Sequence, residues 1–265
     1  MAVESTSTTF TGLGFKRMAY LAFANISSVL GYHELAVQYR RRAERVSSHL
    51  NERFLDRASG TYRAHAARAN DTTQTAQSLA LYQHICPTRE ICDKARGVLA
   101  RKARAASHLD GACKGAASLP GCSEARGGPG AHLTAGLFGI KWALMAMADG
   151  GLQDLAYEML TSDTYPSLGW MMANPFSNAT TIWESWFFSD GVYSHNHPMF
   201  GSSEVWLMQS VLGIQPHPAA RGMDRVLIKP SPHRALFSMR MGPSTPREGV
   251  SPCRGPGSLP SGPSR

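Results

Sequence analysis

The segment Ala179-Thr180-Thr181-Ile182-Trp183-Glu184-Ser185-Trp186 sets one carboxylate between two indoles. A carboxylate so placed can take a proton from a water or a hydroxyl, and the flat apolar faces of Trp183 and Trp186 suit the C–H faces of a sugar ring. Three-residue spacing suits better two core anchors with Glu184 turned to solvent, since a single carboxylate is weak evidence for any enzyme, and both readings stand. Further along, Ser194-His195-Asn196-His197-Pro198 offers two imidazoles at i and i+2 with no ligand set beside them, a poor metal site. They suit hydrogen bonding to a polar ligand, or capping of a helix that starts at Met199. Gln74, Asn174 and Asn178 are weaker hydrogen-bonding candidates.

The other chemistries searched for leave no trace. There is no GxSxG, HExxH, phosphate-loop or GxGxxG pattern, so no cofactor is expected. The 5 cysteines form no CxxC pair and no zinc spacing, and no metal is expected either. Cys113 and Cys122 could close a small loop in an oxidising compartment. Three sequons, at Asn25, Asn70 and Asn178, permit glycosylation without showing secretion. The first residues lack the basic start and apolar block of a secretory signal, which leaves localisation unknown.

The elements that must hold these residues read as helices in pairs. Apolar positions from Phe15 to Leu30 follow helical spacing up to Gly31, and a second helix from His33 to Phe54 would bury Leu35, Ala36, Tyr39, Ala43, Val46, Leu50 and Phe54 with its arginines outside. Asp56 to Gly60 reads as a turn with a short extended exit. Asp71 or Thr72 then caps a helix over Ala76 to Ile85, and Pro87 opens one that runs to about Ala106. Another pair, Ala135 to Ala148 and Leu152 to Leu160, is split by Gly150-Gly151. Pro166 to Pro198 reads as a long irregular connection, Met199 to Leu212 as a helix, and Val226 to Pro230 as a lone strand. The expected class is therefore all-α.

Composition bounds the partners. With 43% hydrophobic and 17% charged residues, the chain of 265 residues has the makeup of a folded protein. Its longest mostly apolar stretch, Ala135 to Ala148, is too short for a bilayer span of about 20 residues, so no membrane is expected. The net charge of +8 is regional: residues 40–130 hold 16 Lys/Arg against 8 Asp/Glu, while 131–222 hold 2 against 7. No aromatics interleave with the basic run at Arg40-Arg41-Arg42, which argues against nucleic acid. No repeat recurs at a fixed period, which disfavours a protein-binding solenoid.

Five blocks, in order, carry a resemblance: Thr73-Gln74-Thr75-Ala76-Gln77-Ser78-Leu79-Ala80-Leu81, His132-Leu133-Thr134-Ala135-Gly136-Leu137-Phe138-Gly139, Tyr165-Pro166-Ser167-Leu168-Gly169-Trp170, the block around Glu184, and Ser194-His195-Asn196-His197. The chain resembles the bacterial-type α-L-rhamnosidases from about Phe15 to Val226, with an interruption at 107–130. The resemblance implies a partial (α/α)6 barrel of helical hairpins, followed by the truncated start of a C-terminal β-sandwich, and inverting hydrolysis of terminal α-L-rhamnose from glycosides or polysaccharides. Inversion uses two carboxyl groups roughly 6.5–9.5 Å apart, one as base for a water and one as acid for the leaving oxygen. By motif, Glu184 takes the base position, Trp183 and Trp186 frame the pocket, and His197 and Asn196 contact substrate.

Departures from the family accompany the match. The family's general acid lies in an upstream acidic loop, whereas here Glu4 is the only acid before Glu34 and its Ser/Thr-rich surroundings do not resemble that loop. About seven helices are legible where the barrel needs twelve. The expectation is a fragment that keeps the base side, is inactive alone, and exposes apolar helix faces that favour self-association. The rival is a non-catalytic carbohydrate-binding protein. The expected organisation is a disordered 1–14, a partial catalytic domain over 15–222 with a loop insertion at 107–130, a sandwich start at 223–240, and a disordered tail at 241–265, where Pro, Gly and Ser fill 16 of 25 positions.

Overall fold

The Ser7 hydroxyl accepts from the Thr9 amide at 3.2 Å and caps α1, Thr8–Val29, in a computed structural model that describes residues 4–68, 70–104, 130–173, 178–186, 194–217, 220 and 222–231. Helix α1 thus starts well before Phe15, and the expected disorder is corrected over residues 8–14. The cause is aromatic. Phe10 is fully buried, edge-on to Phe54 with centroids 5.0 Å apart and also against Tyr62, which fixes the first turn of α1 on the hairpin beyond it.

Gly31, at φ +84, reverses the chain into α2, His33–Phe54. The arginine-rich face of α2 stays outside while Ala36, Ala43, Val46, Leu50 and Phe54 are buried, as the periodicity predicts; Leu35 and Tyr39 are only partly covered. Strands β1, Leu55–Asp56, and β2, Thr61–Tyr62, pair antiparallel around a turn that Asp56 caps through Ala58 N and Ser59 Oγ. Helix α3, Gln74–Tyr82, begins earlier than expected because Thr73, in extended conformation, is the residue whose Oγ1 accepts from Ala76 N at 3.1 Å. Asp71 is engaged elsewhere, with His65 Nδ1 at 2.6 Å.

Helix α4, Arg89–Arg104, packs outside α3. Helices α5, Ile140–Asp149, and α6, Gln153–Thr161, form the next hairpin, with Gly151 at φ +74 in its turn. The connection expected to be irregular contains α7, Leu168–Ala173, nucleated where Ser167 Oγ accepts from Trp170 N at 2.9 Å. The helix expected from Met199 to Leu212 is three short pieces: α8, Pro198–Gly201, α9, Ser203–Trp206, and a π-turn over Leu207–Val211. Val226–Ile228 is not a lone strand. As β4 it pairs antiparallel with β3, Ile214–Pro216, in the register Ile214↔Ile228 and Pro216↔Val226.

Contacts arrange these hairpins as a double layer. Helices α1, α3, α5 and α9 touch in sequence along one layer, and α2, α4 and α6 back onto it. This is the pattern of a sector of an (α/α) barrel. One core lies between α1, α2 and α3 around Phe10, Leu50 and Leu79; a second gathers α5, α6 and α7 with Trp183, Trp186 and Trp206. The insertion expected at 107–130, apart from its last residue, and the tail at 241–265 lie outside the described residues.

Candidate active site

The Glu184 loop is built on a platform of side-chain amides and carboxylates that starts at Gln74. Its Oε1 accepts from the amides of Thr134 and Ala135 at 3.0 and 3.2 Å, and its Nε2 donates to His132 O at 2.8 Å. A glutamine in the first turn of α3 therefore binds the backbone of residues 132–135 as a strand partner would. Glu4 completes the arrangement: it accepts from Gln74 N at 2.9 Å and from Thr134 Oγ1 at 3.0 Å, and pairs with Lys102 Nζ at 2.9 Å. Its side chain is only 9% exposed. Leu133 N donates to Pro166 O at 2.9 Å, which links this segment to the turn before α7.

From α7 the structure reaches the indoles. Trp183 N approaches Met171 Sδ at 3.3 Å, so the thioether seats the loop on the helix. Trp183 is 6% exposed and stacks with His195, centroids 4.4 Å apart and planes at 19°. Trp186 is 1% exposed and meets Phe200 edge-on at 4.7 Å. Both indoles anchor the loop in the core.

Between them, Glu184 turns outward with 29% of its side chain exposed. Oε2 accepts from the Ser194 amide at 3.1 Å, while Oε1 lies 3.9 Å from His197 Nε2. The backbone holds the two arms in register, since Glu184 N donates to Ser194 O at 2.8 Å and His197 N to Ile182 O at 2.8 Å. Thr181 Oγ1 donates to His195 O across the same gap. His197 stands at the N-cap of α8 but makes no side-chain capping bond, so its imidazole is turned to the carboxylate. Asn196 is exposed beside it, its amide donating to Ser194 Oγ at 3.2 Å.

Glu184, Trp183, His197 and Asn196 are thus brought to one loop pair, with Trp186 beneath. Gln74 is fully buried and spent on backbone groups, Asn178 is exposed in a left-handed conformation at φ 44, and Asn174 lies outside the described residues. Sequence reasoning missed Glu4, Met171 and the Ser194 amide. A lone acid in a Ser/Thr stretch carries no periodic signal, and a backbone N–H has none in any sequence. The chemistry available is that of a part-exposed carboxylate oriented by a backbone amide, with an imidazole alongside. Among the described residues no cluster of three or more His, Cys, Asp or Glu could hold a metal ion, and no helix is long and apolar enough to cross a membrane.

Comparison with known proteins agrees with this architecture. Residues 4–118 and 124–211 match the family model described as the bacterial alpha-L-rhamnosidase 6 hairpin glycosidase domain. That match begins at Glu4, passes through most of the expected insertion, and stops before β3. The alpha-L-rhamnosidase of Streptomyces avermitilis is 32% identical over 130 residues, 44% of this chain and 12% of that protein. One from Alteromonas sp. is 32% identical over 107 residues, 37% and 11% respectively. The chain therefore corresponds to a small part of these curated relatives. In fold, it is similar to the alpha-L-rhamnosidase from Dictyoglumus thermophilum, with a TM-score of 0.61 at 24% identity over 82% of this chain and 21% of that one. It is also similar to the enzyme from Aspergillus terreus, with a TM-score of 0.59 at 23% identity over 79% and 21%.

Proposed function

This chain belongs to the bacterial alpha-L-rhamnosidase six-hairpin glycosidase family, and we propose that within it Glu184 is the general base of an inverting α-L-rhamnoside hydrolysis. The observation that carries this reading is the convergence of the Ser194 amide and the His197 imidazole on a part-exposed carboxylate. The Ser194 amide donates to Oε2 at 3.1 Å, and Oε1 lies 3.9 Å from His197 Nε2. A base of this kind must hold a water against the anomeric carbon, which requires a carboxylate fixed in direction and reachable by solvent. His197 and Asn196, at the rim, contact sugar hydroxyls, and Trp183 and Trp186 frame the pocket from beneath by setting the loop's position. The substrate is a rhamnose-containing glycoside or polysaccharide.

Glu4 is unsuited to the acid's role, because its carboxylate is committed to Lys102, Gln74 N and Thr134 Oγ1. A substrate whose leaving group needs no proton isolates the step assigned to Glu184. We expect the chain to hydrolyse α-L-rhamnosyl fluoride and to release β-L-rhamnose first, as followed by proton NMR. Release of the α-anomer first would refute inversion. The rival reading, a carbohydrate-binding protein without catalysis, calls for an open indole platform, and Trp183 and Trp186 are buried with His195 lying over the former.

A further inference from the structure

A groove between α1 and α2 gathers cations over an apolar floor. Leu13, Lys16 and Tyr20 stand at i, i+3 and i+7 of α1, and Arg42, Arg45 and His49 at i, i+3 and i+7 of α2. Each trio therefore shares one side of its helix, and the two sides line a cavity of about 460 Å³. Val46, in the core around Leu50, and Leu13, packed against that core, form its floor. Tyr20 stands edge-on to Tyr39 with centroids 5.6 Å apart, and the Arg42 guanidinium lies 4.8 Å from the centre of the Tyr39 ring. A guanidinium held over a ring face keeps its N–H edge for hydrogen bonds, so Arg42 is positioned before any ligand arrives. Arg17, beside Lys16 in sequence, is instead taken up by Ser47 Oγ at 2.7 Å.

The charge here is of one sign. Helix α1 has no acidic residue, and among the described residues no carboxylate lines the cavity. Of the acids of α2, Glu44 follows Arg42 by two residues and so falls on the other side of the helix, while Glu34 and Glu52 lie beyond the two ends of the Arg42–His49 stretch. Three fixed positive charges that converge without an acid attract an anion, and a dianion most strongly. We propose that this groove binds an organic phosphate monoester. The phosphoryl group brings two negative charges and three acceptor oxygens to Lys16, Arg42 and Arg45, and the organic group lies on Leu13, Tyr20 and Val46. His49, one turn on from Arg45, adds a hydrogen-bonding ring. The site is built from α1 and α2, whereas the Glu184 loop rests on α7 and α8 through Met171 and Phe200.

Equilibrium dialysis of the full chain against phenyl phosphate tests this. Phenyl phosphate should bind about tenfold more tightly than inorganic phosphate, which has nothing to lay on the floor, and about tenfold more tightly than phenyl sulfate, which carries one charge fewer. Arg45→Gln and Lys16→Met, both at exposed positions, should each weaken binding about tenfold while the thermal midpoint stays unchanged. Arg40→Gln removes the same charge from the opposite side of α2 and should change the affinity by less than about twofold. Equal losses in Arg40→Gln and Arg45→Gln would reduce the effect to the net charge of the chain and overturn the proposal. So would equal affinity for phenyl phosphate and inorganic phosphate, tighter binding of phenyl sulfate, or no binding of phenyl phosphate up to about 1 mM.

Discussion

Glu184 and Ser194 bind each other twice through groups of different kinds. The Glu184 amide donates to Ser194 O at 2.8 Å, and the Ser194 amide donates back to the Glu184 side chain at 3.1 Å. The donor that orients the carboxylate is thus backbone. Ser194→Ala should retain it and change fluoride hydrolysis by less than about threefold, whereas Ser194→Pro removes the N–H and should cost about tenfold or more. Equal rates for the two variants would show that the amide does not orient Glu184.

Gly169 controls the helix on which that loop sits. A Cβ there would fall 2.3 Å from Ser162 O and 2.9 Å from Thr161 O, backbone atoms at the end of α6. Gly169→Ala must therefore displace α7 and, with it, Met171 beneath Trp183. The expected loss is about 1–3 kcal/mol in urea unfolding, together with loss of the Trp183 near-ultraviolet signal. An unchanged midpoint would mean that α7 shifts without cost.

Glu4 joins the chain's beginning to α3, α4 and the 132–135 segment. Its 9% exposure and its bonds to Lys102, Gln74 N and Thr134 Oγ1 make it a structural carboxylate. Glu4→Gln should destabilise by about 1–3 kcal/mol, and Lys102→Met in the same background should add less than it does alone, because the two share one interaction. Full additivity would contradict the pairing.

Two buried phenols set an alkaline limit. Burial raises Tyr62 and Tyr165 above their ordinary value of 10.0, with the Cys86 thiol adding to the shift at Tyr62. A raised folded-state value means that the fold favours the neutral phenol. The stability this contributes is whole below pH 10 and drains away as the pH climbs above it. Denaturant midpoints should fall above that pH, and ultraviolet titration should show these two tyrosines ionising only with unfolding. Ionisation of all tyrosines near 10 in the folded chain would refute this.

Much of this was legible from residue order, for physical reasons that differ by region. The face of α2 shows in its 3.6-residue period, and the pairing of α5 with α6 shows in Gly150-Gly151. Motif order identified the Glu184 block, whose neighbours then converged in space. What stayed hidden depended on partners distant in sequence. Phe10 extends α1 only because Phe54 and Tyr62 are there to receive it, and Val226–Ile228 becomes half of a hairpin only once Ile214–Pro216 is known to lie alongside. The imidazole of His197 could not be told from a helix cap until its ring was seen facing Glu184 at 3.9 Å. Glu4 gave no signal at all, being one acid among hydroxyls until Lys102 and Gln74 surround it.

The central assignment is tested most directly by comparing the unsubstituted chain with Glu184→Gln on α-L-rhamnosyl fluoride. Glutamine keeps the shape and the Ser194 contact but cannot accept the water's proton. A fall in rate of about 10²- to 10⁴-fold, with folding and thermal midpoint unchanged, is the predicted result. Equal rates in the two proteins, or no hydrolysis above buffer in either, would contradict Glu184 as the base.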